Sequence, residues 1–163
     1  MNVPEVSLPA VLDCPSLADT AAVAHRLAPL LVAGDVVLLD GELGAGKTAF
    51  TQALAEAVGV DRPITSPTFT LVAPYHTARG YDLLHVDLYR LEKTSEVAAL
   101  GLAELLEEGA VAVIEWGARA NPVLSPNHLS ISFEVLPDGG RRLTLTGEGA
   151  GWPERLSAIA GVT

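Results

Sequence analysis

A three-layer α/β domain, built on a mostly parallel central sheet with an antiparallel edge hairpin, is what three features of this sequence predict. Short apolar runs alternate with stretches of helical spacing, the mark of strands buried between helix layers. One such run, Val36-Val37-Leu38-Leu39, leads into the glycine-rich segment Gly41-Glu42-Leu43-Gly44-Ala45-Gly46-Lys47-Thr48, and a helix-like stretch to Val58 follows it. Near the C-terminus, Leu129, Ile131, Phe133 and Val135 alternate with polar residues before Pro137-Asp138-Gly139-Gly140, and Leu143 and Leu145 resume the alternation. Period two on both sides of a turn signal is a hairpin. At 163 residues, one domain over 1–163 is expected, long enough for a single good core.

The elements follow in order. Ser16 is the N-cap of a first helix whose apolar residues Leu17, Ala21, Ala24, Leu27 and Leu31 run at helical spacing toward Gly34. The first core strand, the glycine loop and the second helix come next, and that helix stops at Gly59. Residues 60–74 are proline-punctuated, a loop turning into a strand. Tyr81 to Asp87 and Ala110 to Glu115 are apolar runs that end in acids, as buried strands opening onto a polar edge do. Between them, Thr94-Ser95-Glu96 opens one short helix and 101–108 forms another. The stretch from Trp152 to Ala160 closes the chain as a helix.

Composition narrows the function. Hydrophobic residues make up 49% and aromatics only 5%, a globular rather than disordered balance. No apolar stretch reaches the roughly 18 residues of a membrane span, and the first residues lack the basic and apolar regions of a secretory signal. With a lone Cys14, which cannot form an internal disulfide, this points to a cytoplasmic location without membrane contact. Twenty acids against 10 bases give a net charge of −10 and leave no basic stripe for a nucleic-acid backbone. An anionic ligand must therefore be held by local features, because the long-range field repels it.

Gly41 to Thr48 is such a feature. It is a complete G-x-x-x-x-G-K-T loop between strand and helix, which makes the expected fold P-loop NTPase-like. Glycines let consecutive backbone N–H groups of Glu42, Leu43, Gly44, Ala45 and Gly46 turn toward phosphate oxygens, and the following helix adds the partial positive charge of its N-terminus. Lys47 brings a point charge to the outer phosphates of ATP, and the Thr48 hydroxyl is suited to Mg²⁺. Such a site needs an acid on a neighbouring strand, and Asp87 and Glu115 are both candidates because both end apolar strands. The Thr65-Ser66-Pro67-Thr68 segment is either a γ-phosphate-sensing loop or an ordinary Ser/Thr-Pro turn. The four histidines show no metal-ligand spacing and read as structural, and the arginines are scattered.

The phosphate loop, Ser66-Pro67-Thr68-Phe69-Thr70-Leu71-Val72, Asp87-Leu88-Tyr89-Arg90-Leu91 and Ile114-Glu115-Trp116, in this order, resemble the bacterial tRNA threonylcarbamoyladenosine biosynthesis ATPase family, TsaE or YjeE. The resemblance runs from about Ser16 to Trp116. It implies a weak, partner-dependent, Mg²⁺-requiring ATPase acting on a threonylcarbamoyl transferase subunit and its companion subunit. That complex modifies the adenosine next to the anticodon, so tRNA would be met only indirectly. By motif, Thr48 and Glu115 would ligate Mg²⁺, Asp87 would position water or the metal shell, and Ser66 and Thr68 would sense the γ-phosphate. Thr20 matches a hydroxyl that the family places near the nucleotide. The chain departs from the family pattern at Glu42, where Asp is common, at Ala49, where a second Thr is common, and at Gly117, where Pro is common. Ala49 lacks a hydroxyl worth about 1 kcal/mol to the α-phosphate. The alternatives are a small-molecule P-loop kinase, which would need clustered arginines on a lid, and a nucleotide-responsive binding module without catalysis.

Overall fold

The computed structural model describes residues 9–65, 71–91, 93–119, 127–149 and 151–160. Within them, seven strands share one sheet: β1 (Ala10–Cys14), β2 (Val36–Gly41), β3 (Val72–His76), β4 (Asp82–Asp87), β5 (Val111–Glu115), β6 (His128–Val135) and β7 (Arg141–Glu148). Five helices accompany them: α1 (Leu17–Leu27), α2 (Lys47–Ala57), α3 (Thr94–Ala98), α4 (Leu102–Glu107) and α5 (Trp152–Ala160). Strand order across the sheet is β1-β7-β6-β2-β5-β4-β3. The four central strands, β6, β2, β5 and β4, run parallel, while β7, β1 and β3 join antiparallel at the two edges.

The expected three-layer architecture is present. On one face, α1, α2 and α5 cover Val37, Leu39, Val111, Val113, Leu129 and Ile131 with Leu27, Phe50, Leu54, Trp152 and Ile159. On the other, Val97 and Leu102 of α3 and α4 cover Val36, Leu38, Leu84, Val86, Ala112 and Ile114. Strands clad on both sides read as continuous apolar runs. That is why β2, β4 and β5 stand out in the sequence while the direction of each side chain does not.

Local signals account for most element ends. Ser16 and Asp19 form a reciprocal capping box: the Asp19 N–H donates to Ser16 Oγ at 3.4 Å, and the Ser16 N–H donates to Asp19 Oδ2 at 3.0 Å. The first helix stops earlier than its periodicity suggests. It gives way at Ala28 to a 3-10 turn, because Pro29 cannot continue an α-helical ladder. The C-terminal hairpin pairs Phe133 with Leu143 and Ile131 with Leu145, as the alternation predicts. β1 was not anticipated: it is five residues long, flanked by Pro9 and Pro15, and gains its identity only by pairing with β7. Antiparallel pairing is accordingly more extensive than the single edge hairpin expected, with three of the six ladders antiparallel.

One close approach fixes the level of β5 against β2. Gly117 begins a 3-10 turn just after β5, and a Cβ there would lie 2.5 Å from Leu38 Cβ and 2.9 Å from Leu38 Cα. No rotamer change can relieve a clash with a backbone atom. Gly117→Ala is therefore expected to destabilise the fold by about 1–3 kcal/mol, the usual cost of overpacking. Denaturant unfolding checks this, and an unchanged midpoint would show that the turn can slide away from β2.

Candidate active site

The site forms where the parallel strands end and α2 begins, the edge at which open α/β sheets bind ligands. β2 delivers Gly41, the loop turns through Gly44 and Gly46, and Gly46 caps α2 with φ of 107°. Gly44 has φ of 81°, and a Cβ on either glycine would meet nothing within 4 Å. Their requirement is conformational rather than steric: left-handed φ turns peptide groups in a way that L side chains disfavour. Two backbone hydrogen bonds set the turn, Ala45 N–H to Glu42 O at 3.0 Å and Phe50 N–H to Gly46 O at 2.9 Å. Glu42, Leu43 and Gly44 form the exposed rim.

Lys47 folds back under this loop and is 5% exposed. Its ammonium donates to Gly41 O and, at 3.2 Å, to Glu42 O. It also stands 4.0 Å from the centre of the Trp116 ring, within cation–π range. Burial pushes the Lys47 pKa down, and the neighbouring carboxylates of Glu115, Asp40 and Asp87 oppose that shift. Asp40 is pushed up by its own burial, against a hydrogen bond from the Ala118 N–H at 3.3 Å and the Lys47 charge.

Glu115 is the acid that meets Thr48. The Thr48 hydroxyl lies 3.0 Å and 3.2 Å from its two carboxylate oxygens, and Glu115 is 4% exposed. Asp87 is the Cα partner of Glu115 across the β4–β5 ladder. Its Oδ1 accepts the Tyr89 N–H at 3.0 Å, which closes the turn after β4. Alternation puts His85, Asp87 and Glu115 on the α2-facing side of the sheet, in step with Leu83 and Val113.

The sequence reading missed His85. It is fully buried, and its Nε2 lies 2.6 Å from Glu115 Oε2, while Nδ1 has no hydrogen-bond partner. An acceptor facing Nε2 assigns the ring proton to that nitrogen. The missed signal was a polar residue inside the apolar run Leu83 to Val86, two places before the terminal acid. Trp116 was quoted only as part of a motif, yet it is one of two non-glycine residues with positive φ among those described, at 61°; Leu71 is the other. Such backbone strain gathers at functional sites. Here the Trp116 N–H is held by Leu39 O at 2.8 Å, and its ring packs 5.1 Å from that of Tyr89.

Three other candidates fare differently. Ser66 and Thr68 lie outside the described residues. Thr20 is 2% exposed within α1, its hydroxyl beside the Cys14 thiol, and it makes no hydrogen bond to the loop.

Whether these residues suit Mg²⁺ follows from their chemistry. Among those described, no group of three or more His, Cys, Asp or Glu could hold a metal by itself. Magnesium, however, is typically held by one or two carboxylates together with substrate phosphates and water, and a Thr hydroxyl beside a carboxylate offers that oxygen set. The donors fit. Among the described residues no helix is long and apolar enough to cross a membrane.

Comparison with known proteins agrees with this architecture. Residues 14–143 match the family model described as threonylcarbamoyl adenosine biosynthesis protein TsaE. The tRNA threonylcarbamoyladenosine biosynthesis protein TsaE of Treponema pallidum is 42% identical over 130 residues, covering 80% of this chain and 95% of that protein. Its namesake from Bacillus subtilis is 38% identical over 131 residues, covering 80% and 81%. The crystal structure of Bacillus subtilis YdiB superposes with a TM-score of 0.77 at 28% identity, over 94% of this chain and 95% of that one.

Proposed function

Because the chain belongs to the TsaE family of threonylcarbamoyl adenosine biosynthesis proteins, we propose that it is a Mg²⁺-dependent ATPase of that tRNA modification. It acts on the transferase subunit and its companion rather than on tRNA directly. The pairing of Thr48 with Glu115 at the mouth of an intact phosphate loop carries the reading. A loop alone binds phosphates; a hydroxyl and a carboxylate converging beside it add what a phosphoryl-transfer site needs.

The division of labour follows from position. The N–H groups of the loop and the α2 N-terminus receive the phosphate chain, and Lys47 neutralises its outer charge. Thr48 and Glu115 would hold Mg²⁺, which when bound offsets charge on the phosphates and fixes their geometry. His85 donates to Glu115 from beneath and so holds its carboxylate against rotation. Asp87, one strand over, is suited to orienting water, and Ser66 and Thr68 to sensing the γ-phosphate. A net charge of −10 makes direct capture of tRNA unfavourable, which favours a protein partner.

A kinase would need arginines gathered over the site. Instead Arg26 is tied to Ile159 O, Arg62 to Pro74 O, Arg142 to Asp13 and Arg155 to Asp35, while Arg141 meets the loop through its backbone carbonyls. The test is a pull-down with the transferase and companion subunits, with and without ATP, alongside hydrolysis assays. Slow hydrolysis by the isolated chain and a changed rate in the complex are expected. Absence of any association under both conditions would sink the reading.

A further inference from the structure

Arg141 opens β7, immediately after the hairpin turn, and reaches the phosphate loop from behind. Its Nε donates to Ala45 O at 2.9 Å and its Nη2 to Gly44 O at 3.3 Å. Its Nη1 donates to Gly139 O at 2.7 Å and to Gly140 O at 3.3 Å, which anchors the guanidinium to the turn that carries it. It forms no ion pair with a carboxylate among the described residues, whereas the adjacent Arg142 is neutralised by Asp13 at 2.8 Å. In a chain of net charge −10, a half-buried cation satisfied only by carbonyls is conspicuous.

The contact matters because of which peptides it holds. A peptide group is planar, with its C=O and N–H pointing in opposite directions. Holding the Ala45 carbonyl outward therefore turns the Gly46 N–H inward, toward the phosphate nest. Gly44 and Gly46 flank this segment with nothing near their Cβ positions. The Gly44–Ala45 peptide is already held through the Ala45 N–H bond to Glu42 O, while the Ala45–Gly46 peptide ends on a glycine, whose backbone permits orientations that other residues disfavour. The bond from Arg141 Nε restrains the Ala45–Gly46 peptide and the one from Nη2 reinforces the Gly44–Ala45 peptide, and the charge adds a positive field behind the N–H groups.

We propose that Arg141 is a positioning residue for the phosphate loop: from the C-terminal hairpin it holds the Gly44 and Ala45 carbonyls outward and keeps the Gly46 N–H turned toward the phosphates. The inference rests on the phosphate-loop reading above and extends it to a residue outside the motif. It predicts that Arg141 acts on the phosphate chain and is indifferent to the base.

The experiment measures binding of ATP and of inorganic tripolyphosphate by calorimetry for wild type, Arg141→Gln, Arg141→Lys and the control Arg142→Gln. Arg141→Gln is expected to weaken both ligands by the same factor, about tenfold. The hydrolysis rate at saturating ATP should stay within about twofold, since the restraint lowers the cost of binding rather than of the chemical step. Arg141→Lys should recover only part of the affinity, keeping the charge but not the two-point contact, and Arg142→Gln should match wild type. Unchanged affinity in Arg141→Gln, or full recovery with lysine, would overturn the brace. A loss confined to ATP would overturn it too, by placing Arg141 against the base or ribose. If Arg141→Gln does not fold, the lysine variant still decides, because its expected affinity is intermediate for both ligands. Wild-type protein that binds neither ligand would sink the phosphate-loop reading itself, an outcome distinct from failure of the brace.

Discussion

Lys47→Ala is expected to weaken ATP binding by about 3 kcal/mol, roughly a hundredfold in affinity. The ammonium is one of only two lysines in the chain and is buried between the loop carbonyls and the Trp116 ring. Its burial is unfavourable without a ligand, as the depressed pKa indicates, and the carboxylates of Glu115, Asp40 and Asp87 offset part of that. A phosphate chain offsets more, because it brings negative charge to the charged form directly. The sign for pH follows. A lysine with lowered pKa in the free protein begins to lose its charge at a lower pH than an ordinary lysine does. Wild-type affinity should therefore decline earlier on the alkaline side than an ordinary lysine would dictate, and the decline should be absent in Lys47→Ala. Calorimetry across pH measures both effects, and wild-type affinity in the variant would refute the phosphate-loop assignment.

Glu115→Gln should reduce Mg²⁺-dependent ATP turnover by about a hundredfold or more, since it removes the carboxylate that faces Thr48 while keeping its shape. Binding of ATP without Mg²⁺ should be unchanged or slightly tighter, because a negative charge beside the phosphates has been removed. That contrast separates a metal ligand from a residue that merely holds the fold. The amide oxygen can still accept from His85 Nε2, so unfolding should shift little. Undiminished turnover would transfer the metal role to Asp87, its partner across the ladder.

How legible the site was depended on whether its chemistry is contiguous. Gly41 to Thr48 is one stretch of backbone whose geometry follows from its own glycines and the helix it starts, so eight residues suffice to announce it. The Ser16–Asp19 capping box and the β6–β7 hairpin are legible for the same reason, each closing within a few residues. Asp87 and Glu115 were both visible as strand-end acids, but choosing between them needed the fold. In parallel strands covered on both faces, apolar residues face both layers rather than alternating with polar ones, so the sequence carries no alternation from which to read the facing of an acid. His85 reads as structural because no histidine shares metal-ligand spacing with it, and its contact with Glu115 exists only because β4 and β5 pair in one particular register.

Arg141 marks the other limit. Ninety-six residues separate it from Ala45, and nothing in its local sequence distinguishes it from Arg142 beside it. The hairpin turn aims one guanidinium at the phosphate loop and leaves the other at Asp13 on the edge strand. The chain by itself determined the phosphate loop, the layered α/β plan and the set of acids available, because these rest on short-range geometry and apolar patterning. Tertiary structure alone decided which acid meets Thr48, which histidine holds it and which arginine braces the loop. Those are contacts between distant segments, and their register follows from packing the sheet as a whole.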